Sequence, residues 1–206
     1  MSKWAFAIHT VTRSEGGINA VQLQSYISVT YKTAWAMLKK IRHAISSHDQ
    51  TRPLSGLIKG GLAFCGKYAP STIQLTVQEH PVIIATASQS EEQPEIVKIK
   101  LVSRSSMDGK TLTPSSLKAF MQDHVTCTEK INNVTIAAYK IRPRNYSNLV
   151  NLMNQFRSWV NDTFHGLGTK HLQNYLDEFC FRFNHASKSP GLSKRLTRIC
   201  MSFGAG

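Results

Sequence analysis

Apolar residues recur at helical spacing from the start of the chain: Trp4, Ala7, Ile8 and Val11 fall on one side of a helix, and Ser14-Glu15-Gly16-Gly17 breaks the run. Asn19 predicts the cap of a second helix, because its side chain can accept from backbone N–H groups of the first turn, with Val21, Leu23 and Ile27 turned inward. Ser28-Val29-Thr30 reads as a tight turn, and Thr30 as the cap of a third helix over 30–45. In that helix Ala34, Leu38 and Ile41 share one face, while Tyr31, Lys32, Trp35, Lys39, Lys40, Arg42 and His43 occupy the rest. A helix, a short turn and a helix with basic and aromatic residues near its start is a helix-turn-helix plan. It makes Tyr31, Lys32, Thr33 and Trp35 candidates for base-edge or backbone contact, and Lys39, Lys40 and Arg42 for phosphates. A plain helical hairpin with a solvated basic face has the same spacing.

The pattern changes after His48-Asp49-Gln50-Thr51-Arg52-Pro53, a polar stretch in which Pro53 disfavours helix at Arg52 and which reads as a linker. The expected division is a helical module over 1–48 and a second domain over 49–206. Three strand patterns follow in series, at 57–65, at His80-Pro81-Val82-Ile83-Ile84-Ala85-Thr86-Ala87 and at Val97-Lys98-Ile99-Lys100-Leu101, which suggests an antiparallel meander. Turns are expected at 89–94 and 107–110. A helix is expected from Pro114, a further strand at 131–137, a basic loop at 139–144, and two closing helices at about 147–161 and 169–184, with a partly helical tail after Ser187. That order fits an α/β layer domain of the ribonuclease-H type among other options: a mixed sheet flanked by helices, here preceded by the small helix-turn-helix module.

Charge sharpens the picture. Twenty-five Lys and Arg against twelve Asp and Glu leave a formal +13 over 206 residues, an excess suited to a polyanion. No apolar run approaches the ~18 residues of a membrane span, and the opening residues lack a signal-peptide cleavage pattern, so a cytoplasmic protein with no membrane partner is expected. Cys65, Cys127, Cys180 and Cys200 form no Cys-x-x-Cys pair and read as reduced thiols in apolar surroundings.

The run from Thr163-Phe164-His165-Gly166-Leu167-Gly168 through Tyr175-Leu176-Asp177-Glu178-Phe179-Cys180-Phe181-Arg182-Phe183-Asn184 resembles the closing signature of the ISXO-like bacterial insertion-sequence transposases. Gly17 to Gln24 and Val29 to Arg42 look like that group's helix-turn-helix, and Leu54-Ser55-Gly56 and His80-Pro81-Val82-Ile83-Ile84-Ala85 fit its domain. The resemblance implies a ribonuclease-H-like catalytic domain, double-stranded DNA as partner, a place at the bacterial nucleoid, and work in assemblies, so that self-association belongs to the picture. It also implies a zinc ribbon ahead of the helix-turn-helix; the sequence begins past that point.

Such transposases use two divalent metal ions held by an Asp on the first strand, an Asp after the fourth and an acidic or Asn residue on a late helix. Two cations about 4 Å apart need carboxylates to offset their charge. Counting from the resemblance's anchors, the first position falls on Gly61, the second on Val134 and the third on Gln155, none of them acidic. The expectation is therefore a DNA-binding protein without catalysis, a remnant or a domesticated regulator, that needs no cofactor. Lys140, Arg142, Arg144, Arg157 and Lys170 would offer phosphate contacts in addition to those of the third helix. Two alternatives stay open. One is an active Mg²⁺-dependent enzyme with relocated acids, Glu129 or Asp123; the other is a module for an acidic protein partner. Asp177-Glu178 reads as structural, with Arg182 as partner.

Overall fold

A computed structural model describes residues 3–13, 16–88, 96–126, 133–164, 167–185 and 191–203. The expected turn at 89–94, Cys127, Glu129 and His165 lie outside the described residues.

Helix α1 (Lys3–Arg13) buries Ala7, Ile8 and Val11, while Trp4 stays exposed. Helix α2 (Ala20–Ile27) begins with a reciprocal cap: Asn19 Oδ1 accepts from the Gln22 N–H, and Gln22 Oε1 accepts from the Asn19 N–H. Its inward residues are Ala20, Leu23 and Ile27. Val21, expected inward, is 62% exposed, because the stripe starts at Ala20 and steps by three and four. Ser28 then takes the left-handed conformation, and Thr30 caps α3 (Tyr31–Gln50) through the Thr33 N–H. Helix α3 continues through His48-Asp49-Gln50, which the sequence marked as linker; nothing in those residues breaks a helix, and the break falls at Thr51, ahead of Pro53.

Strands β1 (Leu57–Gly66), β2 (Glu79–Ser88) and β3 (Ile96–Leu101) form the expected antiparallel meander. A two-residue pair, β4 (Met107–Asp108) and β5 (Thr111–Leu112), closes over Gly109 and leads into α4 (Pro114–His124), with Thr113 as cap and Pro114 in the first turn. Strand β6 (Val134–Lys140) pairs parallel to β1 and gives the mixed order β3-β2-β1-β6. Ile58, Leu62 and Phe64 of β1 and Ile83 and Ala85 of β2 pack with Leu112, Phe120 and Val125 in one apolar cluster. β1 is buried without interruption over residues 60–65, as a strand covered on both faces must be.

Helix α5 (Pro143–Phe164) starts at Pro143, four residues earlier than expected, with a non-helical kink at Tyr146; of the loop predicted at 139–144 its first two residues end β6, its last two open α5, and only Ile141 and Arg142 stay between them. Helices α6 (Leu172–His185) and α7 (Leu192–Phe203) follow.

Two compact units result, residues 1–51 with 158–206 and residues 52–157. The division differs from the expected boundary at 48/49, because α6 and α7 belong with the N-terminal helices. Helices α1–α3 have too little core of their own. Phe181, Leu196 and Ile199 complete the cluster of Ala7, Val11, Leu23, Leu38 and Ile41, which the first fifty residues alone leave open.

Candidate functional site

Across the parallel pair Gly61 lies opposite Ala137 and, after a register shift, Leu62 lies opposite Lys140. A Cβ built on Gly61 would stand 2.6 Å from Ile141 Cγ2 and 3.1 Å from Ala137 Cβ. Ile141 is buried, and its N–H donates to the Leu62 carbonyl at 2.8 Å. Glycine is thus required by close approach, and the space a carboxylate would fill is taken by an isoleucine methyl.

Val134 is elsewhere. It opens β6 opposite Ile58, three residues and so about 10 Å along the strand from the partner of Gly61. The residues of this segment that meet Gly61 are Ala137, its partner across the ladder, and Ile141, which follows the register shift; counting along the sequence missed both. Gln155 is exposed on α5, on a turn whose inward side is formed by Leu152, Met153 and Phe156.

Among the described residues no group of three or more His, Cys, Asp or Glu side chains converges as a metal ion would need. Asp123 is exposed on α4. Glu79, a fully buried acid, is committed: it pairs with Lys110 Nζ at 2.7 Å and accepts from the N–H groups of Thr76 at 2.8 Å and Ala69 at 3.0 Å. The described residues around Gly61 therefore do not fit a pair of divalent cations. Burial alone would push the Glu79 carboxyl up, but the hydrogen bonds from Lys110, Thr76 and Ala69 outweigh it and bring it from 4.5 down to about 2. A lowered carboxylate contributes stability above its ordinary value and loses it as pH falls through the folded one. Thermal unfolding followed from pH 7 to pH 2 is expected to show wild-type stability falling between about pH 4.5 and 2, and Glu79→Gln to be weaker at neutral pH and flatter across that window.

Beyond Gly61 the surroundings turn basic. Lys140 Nζ lies 3.3 Å from the centroid of the Tyr68 ring, and Lys110 Nζ lies 4.7 Å from the same centroid. Arg157, on α5, donates to the Phe64 carbonyl and to Asn154 Oδ1, each at 3.0 Å. Burial lowers the Lys140 pKa, the charges of Arg157, Lys110 and Arg142 lower it further, and Glu79 opposes them. Arg142 and Arg144 are exposed at the start of α5. The Cys65 thiol is pushed up to about 12 by burial against the pull of Arg157, and Cys200 to about 11 by burial, so neither is a thiolate nucleophile at neutral pH.

In the helical unit Tyr31, Lys32, Thr33, Trp35, Lys39 and Lys40 are exposed on α3. Trp35 packs edge-on against His171, with Lys39 Nζ 5.3 Å from its ring centroid, and Lys170 is exposed on the turn Thr169–His171. Arg42 departs from the expectation of a phosphate contact. It is 5% exposed, and its Nε donates to Glu178 Oε2 at 2.6 Å, its Nη1 to the Tyr175 hydroxyl at 3.3 Å and its Nη2 to the Ile18 carbonyl at 3.4 Å. The guanidinium also lies over the rings of Tyr175 and Phe164. Its periodicity places it at the margin of the buried stripe, where a charge enters the interior because an acid awaits it. Glu178 does reach Arg182, as expected, but at 3.9 Å; Arg42 is the tighter partner.

The sheet unit, a meander of three antiparallel strands with a fourth parallel to the first and helices on its faces, is compatible with the ribonuclease-H type. Residues 54–184 match the ISXO2-like transposase domain, and because the match covers more than half of the sequence, the chain belongs to that family. Membership in a transposase family implies interaction with DNA in general. No curated protein and no solved structure matches the chain. No helix among the described residues is long and apolar enough to cross a membrane.

Proposed function

We propose that this chain is a transposase relative that binds double-stranded DNA and does not cut it. The observation that carries the reading is the filled space at Gly61, where Ile141 and Ala137 stand in place of anything that grips a cation. An in-line phosphoryl displacement through two metals has no ligands to anchor it there. DNA binding rests on a different part of the chain. Helix α2, the turn at Ser28 and helix α3 form a helix-turn-helix, with α3 as the recognition helix. Tyr31, Lys32, Thr33 and Trp35 stand exposed at the end that would enter the major groove, and Lys39 and Lys40 lie where phosphates pass. Arg42 has no part in this interface. The protein would act as a regulator or scaffold at the nucleoid.

Fluorescence anisotropy of the full chain with a labelled duplex tests both halves. Binding is expected to weaken as salt rises, with a log–log slope of about −0.9 per neutralised phosphate, and Lys32, Lys39 and Lys40 changed together to alanine to flatten that slope by about 2–3. Supercoiled plasmid incubated with the protein and Mg²⁺ or Mn²⁺ is expected to stay intact. Salt-independent binding, no binding, or metal-dependent nicking abolished by Glu129→Gln or Asp123→Asn would each contradict the proposal.

A further inference from the structure

We infer that the carboxyl-terminal side of the parallel pair β1–β6 is a metal-free site for a DNA phosphodiester, with Lys140 as its central cation and Arg142 and Arg157 beside it. The inference rests on the DNA-binding reading above and assigns to the sheet unit a contact separate from that of α3.

Position is the first support. Ligands of open α/β sheets gather outside the carboxyl ends of parallel strands. Lys140 is the last residue of β6 and pairs with Leu62, one residue past Gly61, so the ammonium group arises where the chain leaves the sheet.

Charge is the second. Around Lys140 the neighbours Arg157, Lys110 and Arg142 are cationic, and the acid that opposes them is Glu79. That acid is consumed by Lys110 and by two backbone N–H groups. With Lys110 and Glu79 cancelled, three positive groups remain gathered, a cost that a bound anion relieves.

Unused donors are the third. Lys140 Nζ rests on the Tyr68 ring and has no hydrogen-bond acceptor among the described residues. The ring holds the ammonium in place through its face, and the N–H donors turned away from the ring stay open to an acceptor. Arg157 is held by Phe64 and Asn154 through two of its five N–H groups, which orients the guanidinium and leaves the others for a ligand. Arg142 is exposed immediately before α5. A fixed arginine, a lysine seated on a ring and an exposed arginine match a phosphodiester's delocalised single charge better than a compact metal, and they operate without one.

The test uses the full chain and duplexes of two unrelated sequences, with Lys140→Gln, Arg142→Gln, the double variant and Lys140→Arg, each checked for an unchanged melting temperature. Each glutamine is expected to lower the salt slope by about 1 on both sequences alike, the double variant by about 2, and Lys140→Arg to keep the wild-type slope. Affinity is expected to be the same in EDTA and in Mg²⁺ at matched ionic strength. Wild-type binding with slopes unchanged in all variants would overturn this site and leave the α3 contact standing, whereas binding lost only in EDTA would show a metal and overturn it too. A wild type that binds no duplex at low salt defeats the DNA-binding reading itself. Should Lys140→Gln fail to fold, exposed Arg142 decides alone: a slope lowered by about 1 supports the site and an unchanged one overturns it.

Discussion

Arg42→Ala is expected to destabilise the protein by about 3–5 kcal/mol, the range found when one member of a buried ion pair is removed and the other left behind. Glu178 is 1% exposed, its Oε2 depends on Arg42, and its remaining contact is the longer one to Arg182. Removing the guanidinium also strips the Tyr175 and Phe164 rings of the cation that lies on them. A shape-conserving apolar pair, Arg42→Met with Glu178→Leu, is expected to recover most of the loss, because the charge left unpaired rather than the lost attraction dominates the cost. Urea denaturation of the single and double variants measures this directly. A loss below about 1 kcal/mol for Arg42→Ala, the size typical of surface pairs, would mean that the residue faces water and would return it to the candidate DNA contacts.

Gly61→Asp would recreate the first acid that the family resemblance implies, and it is expected to damage the fold rather than revive an enzyme. The first new atom alone lies 2.6 Å from Ile141 Cγ2, and overpacking of this kind costs about 1–3 kcal/mol. A carboxylate among Ile141, Ala137 and the buried length of β1 adds the penalty of a charge without a partner. Gly61→Ala separates the two, since it carries the steric part only. Calorimetry is expected to rank the melting temperatures wild type, then Gly61→Ala, then Gly61→Asp. If Gly61→Asp melts with the wild type, the space is open and the case for a filled site fails.

Much of this architecture is visible in the residues because it depends on local preferences. Asn19, Thr30 and Pro114 mark helix starts by their own chemistry, and the unbroken apolar run from Val82 and the alternation around Ile99 mark strands. The failures share one cause, which is that the deciding partner is distant in sequence. Arg42 sits at a polar position of α3, and nothing within the helix shows that Glu178, 136 residues later, takes it inside. Val134 was reached by counting to a tyrosine, but a parallel ladder is set by register, and a shift at Gly61/Leu62 brings Ile141 to the glycine instead. The boundary after residue 48 follows composition, whereas packing follows the need of helices α1–α3 for Phe181, Leu196 and Ile199. At the sheet the sequence supported only the expectation that no acid stands at Gly61, Val134 or Gln155 where the resemblance implies one. It could not show that hydrophobic side chains fill the gap or that Lys140 rests on Tyr68.

No divalent metal is expected to bind beside Gly61, which Mn²⁺ titrated into the protein with its isoleucine and alanine methyl groups labelled for NMR can check. The Ile141 and Ala137 methyl signals are expected to keep their width through stoichiometric Mn²⁺ and beyond. Selective, saturable broadening of those two methyl groups would contradict it.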